Sequence, residues 1–163
     1  MIKDNIVIRE IEHQDNAQIE AAIRGCFPEF GLPLVGTAYA DEETAKMFES
    51  YQNDNDIYYV VEYNGKVLGG GGVKPLKDYE GEVCEIQKMY FNKAIRGRGL
   101  GKLIFEKCIK TAKDLGYKKC YLESASQLNA AIHIYETFGF IHLDKPLGNT
   151  GHFSCGVWMI KDL

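Results

Sequence analysis

A helix-spaced segment between two strand-like segments restricts the fold more than any other feature of the sequence. Residues 99–115 carry apolar side chains at helical intervals, whereas EVCEIQKMYF (82–91) and KKCYLES (118–124) are short and typical of strands. A strand, a helix and a second strand in this order pack as a right-handed crossover between parallel neighbours. The sequence therefore predicts a parallel strand pair in a sheet covered by a helix.

The remaining segments predict mostly antiparallel pairing. IYYVVEY (57–63) and KVLGGGGV (66–73) flank an Asn-Gly turn, which is a strong hairpin signal. The other predicted elements are strands at 6–10, 140–143 and 153–160, a helix from 15 or 16 to Arg24 ended by Gly25, a short helix after Asp41, and a helix capped by Asn129 and running to Phe138. The predicted order is β-α-α-β-β-β-α-β-α-β-β. This is an α/β fold of the mixed-sheet (α+β) kind, in one domain over residues 1–163.

The strand at 82–91 contains an irregularity that is visible in the sequence. Cys84 and Ile86 share one face, but Met89 and Phe91 lie an odd number of positions further on and so occupy the other face. A β-bulge near residue 88 would produce this switch, and so would a strand buried on both faces. A bulge would bend the strand away from a neighbour and leave backbone groups for an extended ligand.

Composition and cysteine usage restrict the cellular setting. The chain has 163 residues and a net charge of −4. It contains no apolar run of the roughly 20 residues that a membrane span needs, and MIKDNIVIRE lacks the pattern of a secretion signal. The five cysteines are scattered, which favours reduced thiols over disulfides. We therefore expect a cytoplasmic protein with no membrane partner. His152 and Cys155 are spaced like two metal ligands, but no further donor lies near them in the sequence, so no metal is expected.

Positive charge is concentrated in one part of an acidic chain. Residues 88–119 contain ten Lys or Arg and two Asp or Glu, giving +8, whereas the remaining nine and twenty-one give −12. Some of the lysines fit an ordinary solvated helix surface. The cations among the glycines of IRGRGLGK (95–102) instead favour a local anion site, and no nucleic-acid face is expected.

Three phosphate-binding motifs compete for this segment. A Walker loop fails because Gly97 and Gly101 enclose only three residues and Leu103 stands where a hydroxyl is required. A dinucleotide fingerprint is one residue short, since the glycines give G-x-G-x-G. The third motif, [Q/R]-x-x-G-x-[G/A], is matched by Arg96, Gly99 and Gly101. Its glycines admit a phosphate close to the backbone at the start of a helix.

The surroundings of this third motif resemble a known family. EIQKMYFNKAIRGRGLGKLI, LGYKKCYLES and NAAIHIYETFGF are similar to the GCN5-related N-acetyltransferase (GNAT) superfamily over about residues 82–140. The resemblance implies a GNAT-like fold with a splayed, bulged fourth strand, and acetyl-CoA as the co-substrate. It implies main-chain contacts of Met89, Tyr90 and Phe91 with the pantetheine arm and a contact of Asn129 with the coenzyme. The implied pyrophosphate loop consists of Arg96, Gly97, Arg98, Gly99, Leu100, Gly101 and Lys102.

The resemblance also implies two catalytic residues. Glu85 lies eleven positions before Arg96, which is the spacing of the catalytic glutamate in the histone-acetylating branch, and Tyr135 would face the thioester sulfur. A carboxylate can deprotonate an amine, and a phenol can protonate a departing thiolate. The alternatives are structural: Glu85 as a cross-strand partner, Tyr135 as a core residue and Asn129 as a helix cap only. His152 is the second candidate for the base.

The acceptor is less constrained by the sequence. Loops at 26–40 and 144–152 would border the cleft, with Phe27, Phe30, Tyr39 and Phe153 as its lining. The acidic remainder of the chain favours a cationic amine, carried by a small molecule or a peptide. We expect an N-acetyltransferase that uses direct attack in a ternary complex; the alternative is a non-catalytic acyl-CoA sensor. A homodimer is one allowed assembly.

Overall fold

A mixed β-sheet of seven strands organises residues 4–163, the residues that the computed structural model describes; residues 1–3 of the predicted domain lie outside them. The strands are β1 (Ile6–Glu10), β2 (Ile57–Tyr63), β3 (Lys66–Pro75), β4 (Val83–Phe91), β5 (Lys119–Ser124), β6 (Ile141–Leu143) and β7 (Val157–Asp162). The helices are α1 (Asn16–Phe30), α2 (Met47–Ser50), α3 (Leu100–Asp114) and α4 (Asn129–Thr137). Single 3-10 turns cover His13–Asp15, Glu42–Ala45 and Lys93–Ile95.

The strand order places the predicted crossover at the centre of the sheet. The order is β1-β2-β3-β4-β5-β7-β6, with β4 and β5 parallel and the other neighbouring pairs antiparallel. Helix α3 connects the parallel pair and buries Ile104, Phe105 and Cys108 completely in the core. This confirms the predicted fold class and its parallel pair. None of the helices in residues 4–163 has the length and apolar character needed to cross a membrane.

The predicted bulge is present in β4. Tyr90 pairs with Gly70 and Gln87 pairs with Gly72, so two residues of β4 face one residue of β3. Lys88 has a positive φ of +52° within this bulge, and its carbonyl accepts a 2.6 Å hydrogen bond from the hydroxyl of the buried Tyr58. The bulge explains the switch of apolar face that the sequence shows.

The parallel pair separates soon after it begins. β4 and β5 are paired at Val83–Lys119, Cys84–Cys120 and Glu85–Tyr121, and the assigned ladder ends there. The rest of β4, which contains the bulge, continues to Phe91 without pairing with β5. A cleft therefore opens between two strands at the centre of the sheet.

Two predicted boundaries are wrong. Helix α1 does not stop at Gly25 but continues to Phe30, where Gly31 caps it in the left-handed conformation. A glycine within a helix costs about 1 kcal/mol, and burial of Cys26 and Phe27 on the same helix outweighs that cost. Strand β7 begins at residue 157 rather than 153, because Ser154 bonds to the loop at residues 35–36 instead.

Candidate active site

The cleft between the splayed strands forms a cavity. Its walls are Ile86–Tyr90 of β4 and Leu122–Ala125 of the β5 end, with Tyr135 of α4 on one side and His152 on the other. The enclosed volume is about 60 Å³. A polar groove of about 380 Å³ lies beside it, and Glu85, Gln87, Lys88 and His152 line both spaces. The cavity and the groove are therefore neighbouring spaces that share part of their lining.

Glu85 is a buried carboxylate at the junction of the cavity and the groove. Its exposure is 4%, and its Oε1 accepts a 2.7 Å hydrogen bond from Gln87 Nε2. Burial, followed by repulsion from Glu123, raises the pKa of Glu85 to about 7. A carboxyl group with this pKa exchanges a proton near neutral pH, which is the property required of a general base.

Tyr135 projects from α4 into the aromatic core at the edge of the cavity. Its ring lies 4.9 Å from that of Phe105, and its exposure is 9%. Within residues 4–163 no hydrogen bond is assigned to its hydroxyl, which leaves the group available to a ligand. Burial raises the pKa of Tyr135 to about 12, so the phenol remains protonated and can act as a donor.

His152 is held by two acidic neighbours. Its Nε2 lies 2.6 Å from Asp41 Oδ2, and its Nδ1 lies 4.0 Å from Glu123 Oε1. Burial acts to lower the pKa of His152, but the hydrogen bond and charge of Asp41 outweigh it, and the pKa is raised. His152 therefore remains the second candidate for the base.

Lys88, the bulge residue, contributes a buried positive charge. Its ammonium group pairs with Glu43, and Asp41 Oδ2 lies 3.4 Å away. The side chain is only 1% exposed, so it depends on these carboxylates. The short helix predicted after Asp41 is a 3-10 turn in which the Asp41 side chain makes no cap bond. The Asp41 side chain contacts His152 and Lys88 instead.

The glycine-rich loop enters α3 with its backbone exposed. Gly97 and Gly99 have φ values of +75° and +76°, and a Cβ built on either would meet no atom within 4 Å. Gly99 is the N-cap, so the N–H groups of residues 99–102 lack partners within the helix. Free N–H groups and the positive end of the helix dipole form an anion site. Leu100 is buried and anchors this end of α3, whereas Gly101 and Lys102 lie at its surface.

The two arginines of the loop are engaged with other protein groups. Arg96 pairs with Glu29 at 2.5 Å, and its Nε donates a 2.8 Å hydrogen bond to the Phe91 carbonyl. Arg98 pairs with Asp4 at 2.6 Å. Arg96 therefore fixes the loop to α1 and to the end of β4. These ion pairs have no local sequence signal, because their partners lie 67 and 94 residues away.

The other predicted coenzyme contacts are only partly brought together, because Phe91 and Asn129 do not line the cavity. Met89 and Tyr90 line the cavity, and Phe91 follows them at the end of β4. Asn129 is exposed at the start of α4, but it is not the cap: Leu128 holds that position and makes no side-chain cap bond. The Asn129 amide is therefore not committed to capping.

The predicted acceptor lining is only partly correct. Phe27 lines the cavity, whereas Phe153 is 76% exposed and Phe30 lies under the Arg96 guanidinium. Tyr39 packs against Phe27 and does not line the cavity. The lining residues that were not predicted come from two loops and the end of β5: Leu32, Thr37, Glu123, Ser154 and Cys155. Leu32 and Thr37 lie in the loop at 26–40 that was expected to border the cleft, whereas Ser154 and Cys155 lie just beyond the second expected loop.

A mixed sheet with a splayed central pair beside a glycine-rich helix start agrees with an acyltransferase, and comparison with known proteins shows that class. The chain belongs to the acetyltransferase (GNAT) family, whose model matches residues 17–140. It is 43% identical over 158 residues to the Escherichia coli (strain K12) protein named "Uncharacterized N-acetyltransferase YjgM", covering 96% of this chain and 95% of that protein.

Solved structures show the same fold. A GNAT-family acetyltransferase from Staphylococcus aureus Mu50 gives a TM-score of 0.82 at 18% identity, over 97% of this chain and 99% of that chain. The yncA structure from Salmonella typhimurium, solved with its cofactor acetyl-CoA, gives a TM-score of 0.77 at 20% identity, over 97% and 94%.

Proposed function

We propose that this protein, as a single domain over residues 1–163, transfers an acetyl group from acetyl-CoA to a primary amine. The observation that carries the proposal is the cleft itself: two strands separate beside a helix start with free N–H groups, and Glu85 and Tyr135 line the opening. Acetyl-CoA is present in the yncA structure, which has the same fold.

The residues support direct attack in a ternary complex. Loop residues 96–102 and the start of α3 hold the pyrophosphate, the backbone of residues 89–91 pairs with the pantetheine arm, and Asn129 contacts the coenzyme. Glu85 takes a proton from the ammonium group of the acceptor, directly or through water. The neutral amine attacks the thioester carbonyl, free N–H groups of β4 stabilise the oxyanion, and Tyr135 protonates the departing thiolate.

The acceptor reaches Glu85 from the polar groove. Glu42 and Glu43 line this groove together with Lys46, Lys74 and Lys77, so both signs of charge are present. Such a surface accommodates an amine on a small molecule or a peptide. The experiment that tests the function is release of free coenzyme A thiol from acetyl-CoA across a panel of amines. Binding of acetyl-CoA without turnover on any amine would favour the sensor alternative.

Replacing Glu85 by Gln keeps the size of the side chain and removes the base. We expect turnover to fall and the deficit to shrink as pH rises above about 7, because Glu85 is then fully ionised in the wild type while the amine increasingly deprotonates without help. Wild-type turnover should increase through about pH 7, since Glu85 has a raised pKa and is protonated below it. Rates measured against pH for both proteins test this.

The matched control is Glu82→Gln, which changes an exposed glutamate just before β4. It should retain the wild-type pH profile. A Glu85→Gln deficit that is constant with pH would show that Glu85 is structural and would return the role of base to His152 or to a chain of water molecules.

A further inference from the structure

A cluster of metal-ligating side chains lies at the wall of the cavity. Glu123 at the end of β5, His152 and Cys155 offer donor atoms that all lie within 4.8 Å of one another. His152 and Cys155 come from the loop before β7, the fold brings Glu123 to them from β5, and each of the three is partly buried. One nitrogen, one oxygen and one sulfur donor form a set that suits zinc.

The neighbours of the cluster orient its donors. Asp41 binds His152 Nε2 at 2.6 Å, which directs Nδ1 toward Glu123. Metal-ligating histidines commonly have their second nitrogen bonded to a carboxylate in this way. Glu123 is oriented as well, because Thr150 Oγ1 donates to its Oε1 and Tyr121 Oη donates to its Oε2, each at 2.6 Å.

We propose that Glu123, His152 and Cys155 bind a thiophilic divalent cation, Zn²⁺ in the first instance. Donor atoms around tetrahedral zinc are about 3.3–3.8 Å apart, so the three side chains need to close by about 1 Å. The cation binds Glu123 Oε1, His152 Nδ1 and the Cys155 thiolate, and the thiol proton is released to solvent. The fourth position is open to water.

A cation in this position affects the reaction, and this consequence rests on the proposed function. The three ligands line the cavity that also contains Glu85, so bound zinc places positive charge where the acceptor ammonium has to arrive. We expect zinc to inhibit turnover in competition with the acceptor amine. Acetyl-CoA should still bind, because its pyrophosphate site lies at the start of α3.

Cobalt tests the site without any reference to turnover. Co²⁺ added to the wild-type protein should produce a near-ultraviolet thiolate-to-metal absorption band, and Zn²⁺ should displace it. The other four cysteines are buried, so the band reports Cys155. Cys155→Ser should lose the band. A wild-type protein without the band, or a Cys155→Ser protein that retains it, would overturn the proposal.

A second variant tests the histidine without altering a ligand. Asp41→Asn should weaken zinc affinity by about 10- to 100-fold, the usual loss when the partner of a ligating histidine is removed. His142→Ala, which removes an exposed histidine outside the cavity, is the matched control and should bind zinc normally. Equal zinc affinity in the wild-type and Asp41→Asn proteins would contradict the proposed ligand set. Zinc binding without inhibition would overturn only the consequence for the acceptor.

Discussion

The Gly99→Glu protein should bind acetyl-CoA at least about 100-fold more weakly than the wild type. Gly99 occupies the N-cap of α3 with φ of +76°, and its Cα faces open space. The new carboxylate would stand where we propose that the pyrophosphate binds. Like charges about 4 Å apart repel by about 4 kcal/mol near a protein surface, and each 1.4 kcal/mol is a tenfold loss of affinity.

Thermal shifts measure this effect. Wild-type protein should melt at a higher temperature with acetyl-CoA present, by mass action, and the shift should decrease as salt concentration rises. Gly99→Glu should show no shift. Stronger stabilisation of the wild type by NADH or ATP than by acetyl-CoA would contradict the coenzyme assignment.

The opposite end of the same helix offers a matched control. Gly116 follows α3 with φ of +90°, and a Cβ built on it also meets nothing within 4 Å. Gly116→Glu therefore introduces the same side chain in a similar strained conformation, away from the pyrophosphate. It should lose stability but keep its affinity for acetyl-CoA. Equal affinity in the two variants would show that the glycine loop is not the phosphate site.

The Tyr135→Phe protein should bind acetyl-CoA normally and turn over roughly ten- to a thousandfold more slowly, the scale of losing one positioned proton donor. The substitution keeps the ring that packs against Phe105. It also leaves no assigned protein partner of the hydroxyl unsatisfied within residues 4–163, so the free energy of unfolding should change little.

Turnover and acetyl-CoA affinity, measured on one confirmed acceptor, separate chemistry from binding. Tyr117→Phe is the control, because it removes a phenol that bonds to the Asn55 carbonyl outside the cavity. It should turn over like the wild type. Wild-type turnover by Tyr135→Phe would show that the departing thiolate does not need this proton.

Local patterns were sufficient to predict most of the fold. The Asn-Gly hairpin, the crossover helix and the bulge each depend on residues close together in the sequence, and the structure contains all three. The end of α1 was mispredicted because Gly25 signals a stop, whereas the decisive term is the burial of Phe27 against distant residues. Propensity is a weak guide where tertiary packing decides.

The candidate site also contains some residues that the sequence predicts and some contacts that it does not. The resemblance to the GNAT superfamily indicated Glu85 and Tyr135, and both line one cavity. The contact of His152 with Asp41 joins residues 111 positions apart, and no local pattern predicts it. The sequence also presents Arg96 as a free cation, although folding commits its guanidinium to Glu29. The role open to a charged side chain thus depends on partners that are distant in the sequence.

Because β4 separates from β5, backbone groups in the middle of this sheet are unpaired, as they are on the edge strand of an ordinary sheet. Exposed strand edges invite pairing with other chains and are a common route to aggregation. Here the unpaired length lies between two strands and is enclosed by the side chains of a small cavity. Because these backbone groups face a cavity of only about 60 Å³, we expect them to be open to a slender ligand and shielded from pairing with a second chain.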